Sequence, residues 1–164
     1  RILSDVARRM GDDVKIYMRG KPTDYPDYFD HTFKGLDNVE FGGEYRLPDE
    51  FEDLYGHAHF SWCVDYHDPE GNSPLLLPNR LYQGGYLGVI PIAVRAHESG
   101  QYIERHDVGI TLEAPLADRL VDRLNSMSRD DYKQLREKVL SVRDDLFLED
   151  VQDMAKLISV INKA

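Results

Sequence analysis

Apolar residues recur at helical spacing from the start of the chain. Ile2, Leu3, Val6 and Met10 share one face, with Arg1, Asp5, Arg8 and Arg9 elsewhere, which predicts an amphipathic helix ended by Gly11. Residues 14–18, VKIYM, are apolar and β-branched and run into Arg19-Gly20-Lys21-Pro22, the pattern of a buried strand entering a loop. Residues 24–34 predict a helix with Pro26 in its first turn, and VEF at 39–41, before Gly42-Gly43, a short strand. A short helix over 48–55 and a strand over 57–64, HAHFSWCV, follow. Residues 65–74 are polar and rich in turn formers and read as a loop. Beyond it the pattern predicts a helix over 78–88, a strand over 89–94 (VIPIAV), a short helix over 100–105 and a strand over 109–113 (GITLE). The chain is helical from 114 onward. Leu116, Leu120, Leu124 and Met127 make one apolar face, Tyr132, Leu135 and Val139 a second, and Val151, Met154, Leu157, Ile158 and Ile161 a third, with Ser128 and Asp131 as a capping pair between the first two.

Strands alternating with helices at this spacing imply an α/β fold. The expectation is a Rossmann-like, doubly wound parallel sheet with helices on both faces and a helical C-terminal section. A length of 164 residues fits a single domain over 1–164 with its own core, needing neither disulfides nor a structural metal. Cys63 is the single cysteine, which excludes a disulfide scaffold and fits a reducing, cytoplasmic setting. No apolar run approaches the roughly 20 residues that span a bilayer. The formal charge of −10 argues against broad nucleic-acid binding, which needs Lys and Arg facing phosphates. No nucleic-acid partner is expected.

In an open parallel sheet the ligand crevice lies beyond the carboxyl ends of the strands. The residues there are Arg19-Gly20-Lys21, Gly42-Gly43-Glu44-Tyr45, Asp65-Tyr66-His67, Arg95-Ala96-His97-Glu98 and Glu113. Pro78 suits a helix start, since its missing amide would lack an intrahelical partner anyway. The free amides of Asn79, Arg80 and Leu81 would then point out of the N-terminus, where the helix dipole favours an anion, and Arg80 adds a full charge. Gly84 and Gly85 inside this helix each cost about 1 kcal/mol relative to Ala. They suggest a close approach to the sheet or to a ligand, and a fitted helix-sheet contact alone would explain them.

The run Y-Q-G-G-Y-L-G-V-I-P-I-A at 82–93 resembles the E-A-x-x-x-G-x-P-V-I-A segment of retaining GT-B glycosyltransferases, the group 1 (family 4) class. P-N-R-L-Y at 78–82 resembles the P-N-K-L-Y-E variant of exopolysaccharide and capsule enzymes, including succinoglycan-type ones. K-I-Y-M-R-G is similar to the family's first ordered strand and glycine, V-E-F-G-G to its V-x-F-x-G strand, and residues 98–112 to its G-G-x-x-E region. The resemblance covers most of 14–127 and implies the second, donor-binding domain of a two-domain GT-B enzyme. It implies a nucleoside diphosphate sugar of UDP or GDP type as substrate, with no separate cofactor and no metal. Asn79, Arg80 and Leu81, with Gly20 and Lys21, would meet the donor diphosphate. Gln83 falls on the glutamate that holds the ribose, and Tyr45 lies where the family loop reaches the base. Glu98 and Gln101 match donor-facing loop residues. Leu75 falls where the family has its first glutamate, and Glu70 is out of register. The family's Arg and Lys pair would lie upstream of Arg1, so the catalytic residues stay unassigned and the piece alone would be inactive. Expected partners are a missing N-terminal acceptor domain and a polysaccharide or lipid-linked acceptor receiving a hexose. The missing half would allow peripheral association at the inner face of the cell membrane.

Two other chemistries compete along 57–67. His57, His59, Cys63, Asp65 and His67 alternate on one strand face and invite a metal reading, but alternate residues of a straight strand stand about 7 Å apart. C-x-x-C and H-x-x-x-H spacings are absent, so packing under a helix is the expectation. A thiol nucleophile at Cys63 is weaker still, because a mid-strand cysteine is usually inert. At the level of function, a non-catalytic α/β interaction module and a sugar-nucleotide epimerase of GT-B architecture remain as alternatives. Pairing of Arg80 with Asp or Glu would favour the interaction module.

Overall fold

The computed structural model describes residues 1–21, 28–66 and 68–148. The order of elements is α1 (Ile2–Met10), β1 (Ile16–Met18), α2 (Tyr28–Phe33), β2 (Val39–Phe41), α3 (Phe51–Tyr55), β3 (Phe60–Trp62), α4 (Asn79–Tyr86), β4 (Ile90–Val94), α5 (Glu98–His106), β5 (Ile110–Leu112), α6 (Leu116–Ser126), α7 (Arg129–Ser141) and α8 (Arg143–Leu146). Short 3-10 turns occupy Gly11–Asp13 and Ser73–Leu75. This is a mixed, Rossmann-like α/β architecture, with parallel strands flanked by helices and a helical C-terminal part. Pro26, His67 and the apolar face at Val151 to Ile161 lie outside the described residues.

The strands are shared between two sheets, β1-β2 and β3-β4-β5. The chain correspondingly forms two compact units, Arg1–His57 with Leu112–Ser128, and Ala58–Thr111 with Arg129–Ala164. In the first unit β1 and β2 are parallel, with Ile16 opposite Val39 and Met18 opposite Phe41. Helix α1 buries Val6, Ala7 and Met10, and α6 buries Leu116, Leu120 and Val121. Arg9 joins these two helices through an ion pair with Asp118 at 2.6 Å. Asn38 closes the end of α1, its Nδ2 donating to the carbonyls of Ala7 (3.0 Å), Gly11 (2.7 Å) and Val14 (3.0 Å).

The second unit is organised around β4, every residue of which is buried, as a central strand of a covered sheet requires. β3 runs parallel to it, with Phe60 opposite Ile90 and Trp62 opposite Ile92. The ladder bonds go from Ile90 N to His59 O (3.1 Å) and from Cys63 N to Ile92 O (2.8 Å), so the missing amide of Pro91 breaks none of them. The strand expected over 57–64 is therefore shorter, because Gly56 turns the chain and regular pairing stops at Trp62. Helix α4 buries Leu81, Gly84 and Gly85, and Phe147, just after α8, lies over Gly85. A Cβ at Gly85 would come within 2.7 Å of that ring. For Gly85, then, helix-on-helix packing is what a side chain would disrupt. Helix α7 buries only Val139, and Leu140 lies against Gly88, whose positive φ of 77° turns the chain into β4.

Candidate functional site

The β3-α4-β4 unit places the start of α4 at the carboxyl end of β3, and the start of α5 at the carboxyl end of β4, both within the second unit. The loop between β3 and α4 is fixed from inside. Ser73 is buried, donates through Oγ to Asp65 Oδ1 and accepts from the amide of Asp68, both at 2.8 Å. Asp68 in turn accepts from the amides of Asn72 and Ser73. This lock has no counterpart in the sequence expectations; a serine directly before Pro74, eight residues after Asp65 and five after Asp68, is its only signal.

Pro78 caps α4 in an extended conformation and supplies no side-chain hydrogen bond to the first turn. Three free amides were expected there. The amide of Leu81 instead donates to the Pro78 carbonyl at 2.8 Å, tightening the first turn, and its side chain is fully buried. The amides of Asn79 and Arg80 are left as first-turn donors without intrahelical acceptors. Asn79 is exposed, and Gln83, one turn on, is half-buried and has a partner within the fold.

Arg80 is drawn inward. A terminal guanidinium nitrogen donates to Val64 O at 3.0 Å, while Nε is buried with no acceptor. Among the described residues no carboxylate pairs with it, so its charge is held at the strand end by a neutral carbonyl. Burial pushes the neighbouring Cys63 thiol up to about 11, with Arg80 acting in the opposite sense, and Ser61 Oγ lies 3.5 Å from the sulfur. Cys63 is thus a protonated core residue.

At the start of α5, Gly100 presses on β4: a Cβ there would collide with the Val94 carbonyl oxygen. Glu98 lies 3.9 Å from Arg105, and Gln101 is exposed. Tyr66, exposed beyond β3, meets the ring of His97, the residue preceding α5, in an edge contact with centroids 5.9 Å apart. Leu75 is 71% exposed.

Gly20, Lys21 and Tyr45 belong to the first unit. Gly20 has φ 137° and its amide donates to Gly43 O at 2.9 Å, joining the turns after β1 and β2. Arg19 spends its guanidinium there: Nε to Gly43 O (3.2 Å), one terminal nitrogen to Tyr17 Oη (3.1 Å), the other to Glu44 O (2.7 Å) and Glu50 (2.5 Å). Arg19 thus clamps the turns after β1 and β2. Lys21 stays exposed, 3.7 Å from Glu44, and the Tyr45 ring is 40% exposed with the Arg19 guanidinium 6.0 Å from its centroid.

Among the described residues, the alternating His and Cys row does not converge. The His57 ring packs on Tyr17 and the His59 ring on Tyr132, while Cys63 is buried. Among the described residues no group of three or more His, Cys, Asp or Glu could hold a metal ion, and no helix is long and apolar enough to cross a membrane.

No family model matches the chain. It is 30% identical over 159 residues to the succinoglycan biosynthesis protein ExoL of Rhizobium meliloti (strain 1021), an alignment covering 96% of this chain and 39% of that protein. The chain thus spans about two fifths of the length of this relative and is similar to it nearly from end to end.

Proposed function

We propose that the chain is the donor-binding part of a glycosyltransferase working in exopolysaccharide assembly. Its substrate would be a nucleoside diphosphate sugar of UDP or GDP type. The observation that carries this reading is Arg80, a cation fixed at the carboxyl end of a parallel strand without a carboxylate partner, beside two open helix amides. Such a site suits a diphosphate leaving group, because its positive groups are oriented before the charge develops and need no reorganisation. Similarity to a protein of succinoglycan biosynthesis supports the exopolysaccharide setting.

In this proposal the Asn79 and Arg80 amides and the Arg80 guanidinium take the diphosphate, with Leu81 anchoring the turn. Gln83 orients the ribose by exchanging its internal partner for a diol. The proposed site is built from the second unit alone; Gly20, Lys21 and Tyr45 lie in the first unit. As the sugar C1–O bond breaks, the electron pair leaves with the nucleoside diphosphate, and an acceptor hydroxyl on a polysaccharide or lipid-linked chain bonds to C1 and gives its proton to the departing diphosphate. A further, acceptor-binding domain would complete the enzyme. An interaction module was to be favoured by Arg80 pairing with Asp or Glu; its attachment to the Val64 carbonyl favours the donor site instead.

Calorimetric titration of UDP, GDP and their parent nucleosides tests the assignment. The expected result is binding of one diphosphate at least about tenfold tighter than its nucleoside, roughly 1.4 kcal/mol. Equal binding of nucleoside and diphosphate would remove the anion site.

A further inference from the structure

We propose that Tyr66 is the platform for the sugar ring of the donor, and that its contact with His97 holds it in place. The proposal rests on the donor-binding reading above and adds the residue that selects for the sugar.

Tyr66 stands out against its surroundings. Cys63 and Val64 before it are buried, and Asp65 is tied to the buried Ser73, yet Tyr66 is 47% exposed at the carboxyl edge where the helices begin. The ring is nevertheless not loose. It meets His97 at 5.9 Å with the planes 78° apart. His97 is itself fixed, its amide donating to Val94 O (3.0 Å) and its carbonyl accepting from Gln101 N (2.9 Å). An aromatic ring held by a neighbouring ring yet half open to solvent loses little side-chain entropy when a ligand covers it.

The position also fits. Tyr66 lies two residues beyond Val64, whose carbonyl holds Arg80, so both stand in the segment that leaves the carboxyl end of β3. A sugar linked to a diphosphate seated at Arg80 begins one bond beyond the terminal phosphate. The apolar C–H face of a pyranose is the part of that substrate which a tyrosine face can cover, and the ring hydroxyls stay free for water or an acceptor. His97 acts through Tyr66 and is a positioning residue.

The test measures UDP, UDP-glucose, GDP and GDP-mannose binding to the chain and to Tyr66→Ala, Tyr66→Phe and His97→Ala, with amide spectra verifying that each variant is folded. The expected pattern is a loss of about tenfold for the sugar nucleotide with Tyr66→Ala. The matching free diphosphate should be unchanged, Tyr66→Phe should bind as the parent, and His97→Ala should fall between. Equal loss for diphosphate and sugar nucleotide would place Tyr66 on the base and overturn the proposal, as would unchanged sugar-nucleotide binding by Tyr66→Ala. If the parent chain binds neither diphosphate, the donor reading fails and this assignment fails with it.

Discussion

Arg80 donates to the Val64 carbonyl at 3.0 Å, which fastens the first turn of α4 to the carboxyl end of β3. Two opposed contributions meet in this residue: a charge-assisted hydrogen bond of about 1.5–3 kcal/mol and a buried Nε without an acceptor costing about 1–3 kcal/mol. They nearly cancel. Arg80→Met, which keeps the stem and removes both, should change unfolding free energy by less than about 1 kcal/mol in urea. The same variant should lower nucleoside diphosphate affinity by about tenfold or more. A large stability loss without a binding loss would make Arg80 a structural residue.

Two glycines separate rigid from yielding contacts. At Gly100 a new methyl meets the main-chain carbonyl of Val94 in a buried strand, which cannot move away, so Gly100→Ala should destabilise by about 1–3 kcal/mol. At Gly85 the obstacle is the Phe147 ring beyond a short helix, and the gain in helix propensity of about 1 kcal/mol offsets the displacement. Gly85→Ala should therefore lie nearer to the parent in thermal and urea unfolding.

The Cys63 thiol should resist a thiol-specific disulfide reagent at pH 8 in the native protein and react on unfolding, because burial excludes the reagent and pushes the thiol up to about 11 from an ordinary 9.0. The sign of the linkage follows. A folded pKa above the unfolded one gives a contribution complete below pH 9 and lost as pH rises towards about 11. Cys63→Ala should lose that part of the alkaline decline in urea titrations across this window.

Asn38 shares two amide hydrogens among three carbonyls at the end of α1 and the start of the next segment. Asn38→Ala should cost about 1–3 kcal/mol, since it leaves those acceptors without their donor. Asn38→Asp should cost more, because an ionised carboxylate has no hydrogen to give and faces three oxygens. Urea denaturation of the pair gives the order directly.

The helix starts and the buried strand were readable because they depend on local chemistry. The apolar run ending at Val94, the Gly11 stop and Pro78 ahead of Asn79 each signal in one stretch of chain, and the structure follows them within a few residues. What escaped the sequence depends on distant partners. Phe147 explains the space over Gly85, four acceptors hold Arg19, and the division of the described strands between two sheets rests on long-range pairing. The site was legible as a segment, 78–83, but its details were not. Only the structure shows Leu81 spending its amide on Pro78 and Arg80 leaning on Val64, since both are set by how the first turn closes. Tyr66 and His97 stood among the strand-end candidates, yet their contact joins two loops that no periodicity connects.

The most direct measurement of the central claim is a titration of UDP and of GDP into the isotopically labelled chain, followed through its backbone amides. The donor-site account predicts saturable shifts with one of the two nucleotides, largest at Asn79 and Arg80 and extending over residues 78–85 and to Val64. No perturbation over residues 78–85 at millimolar ligand would contradict it.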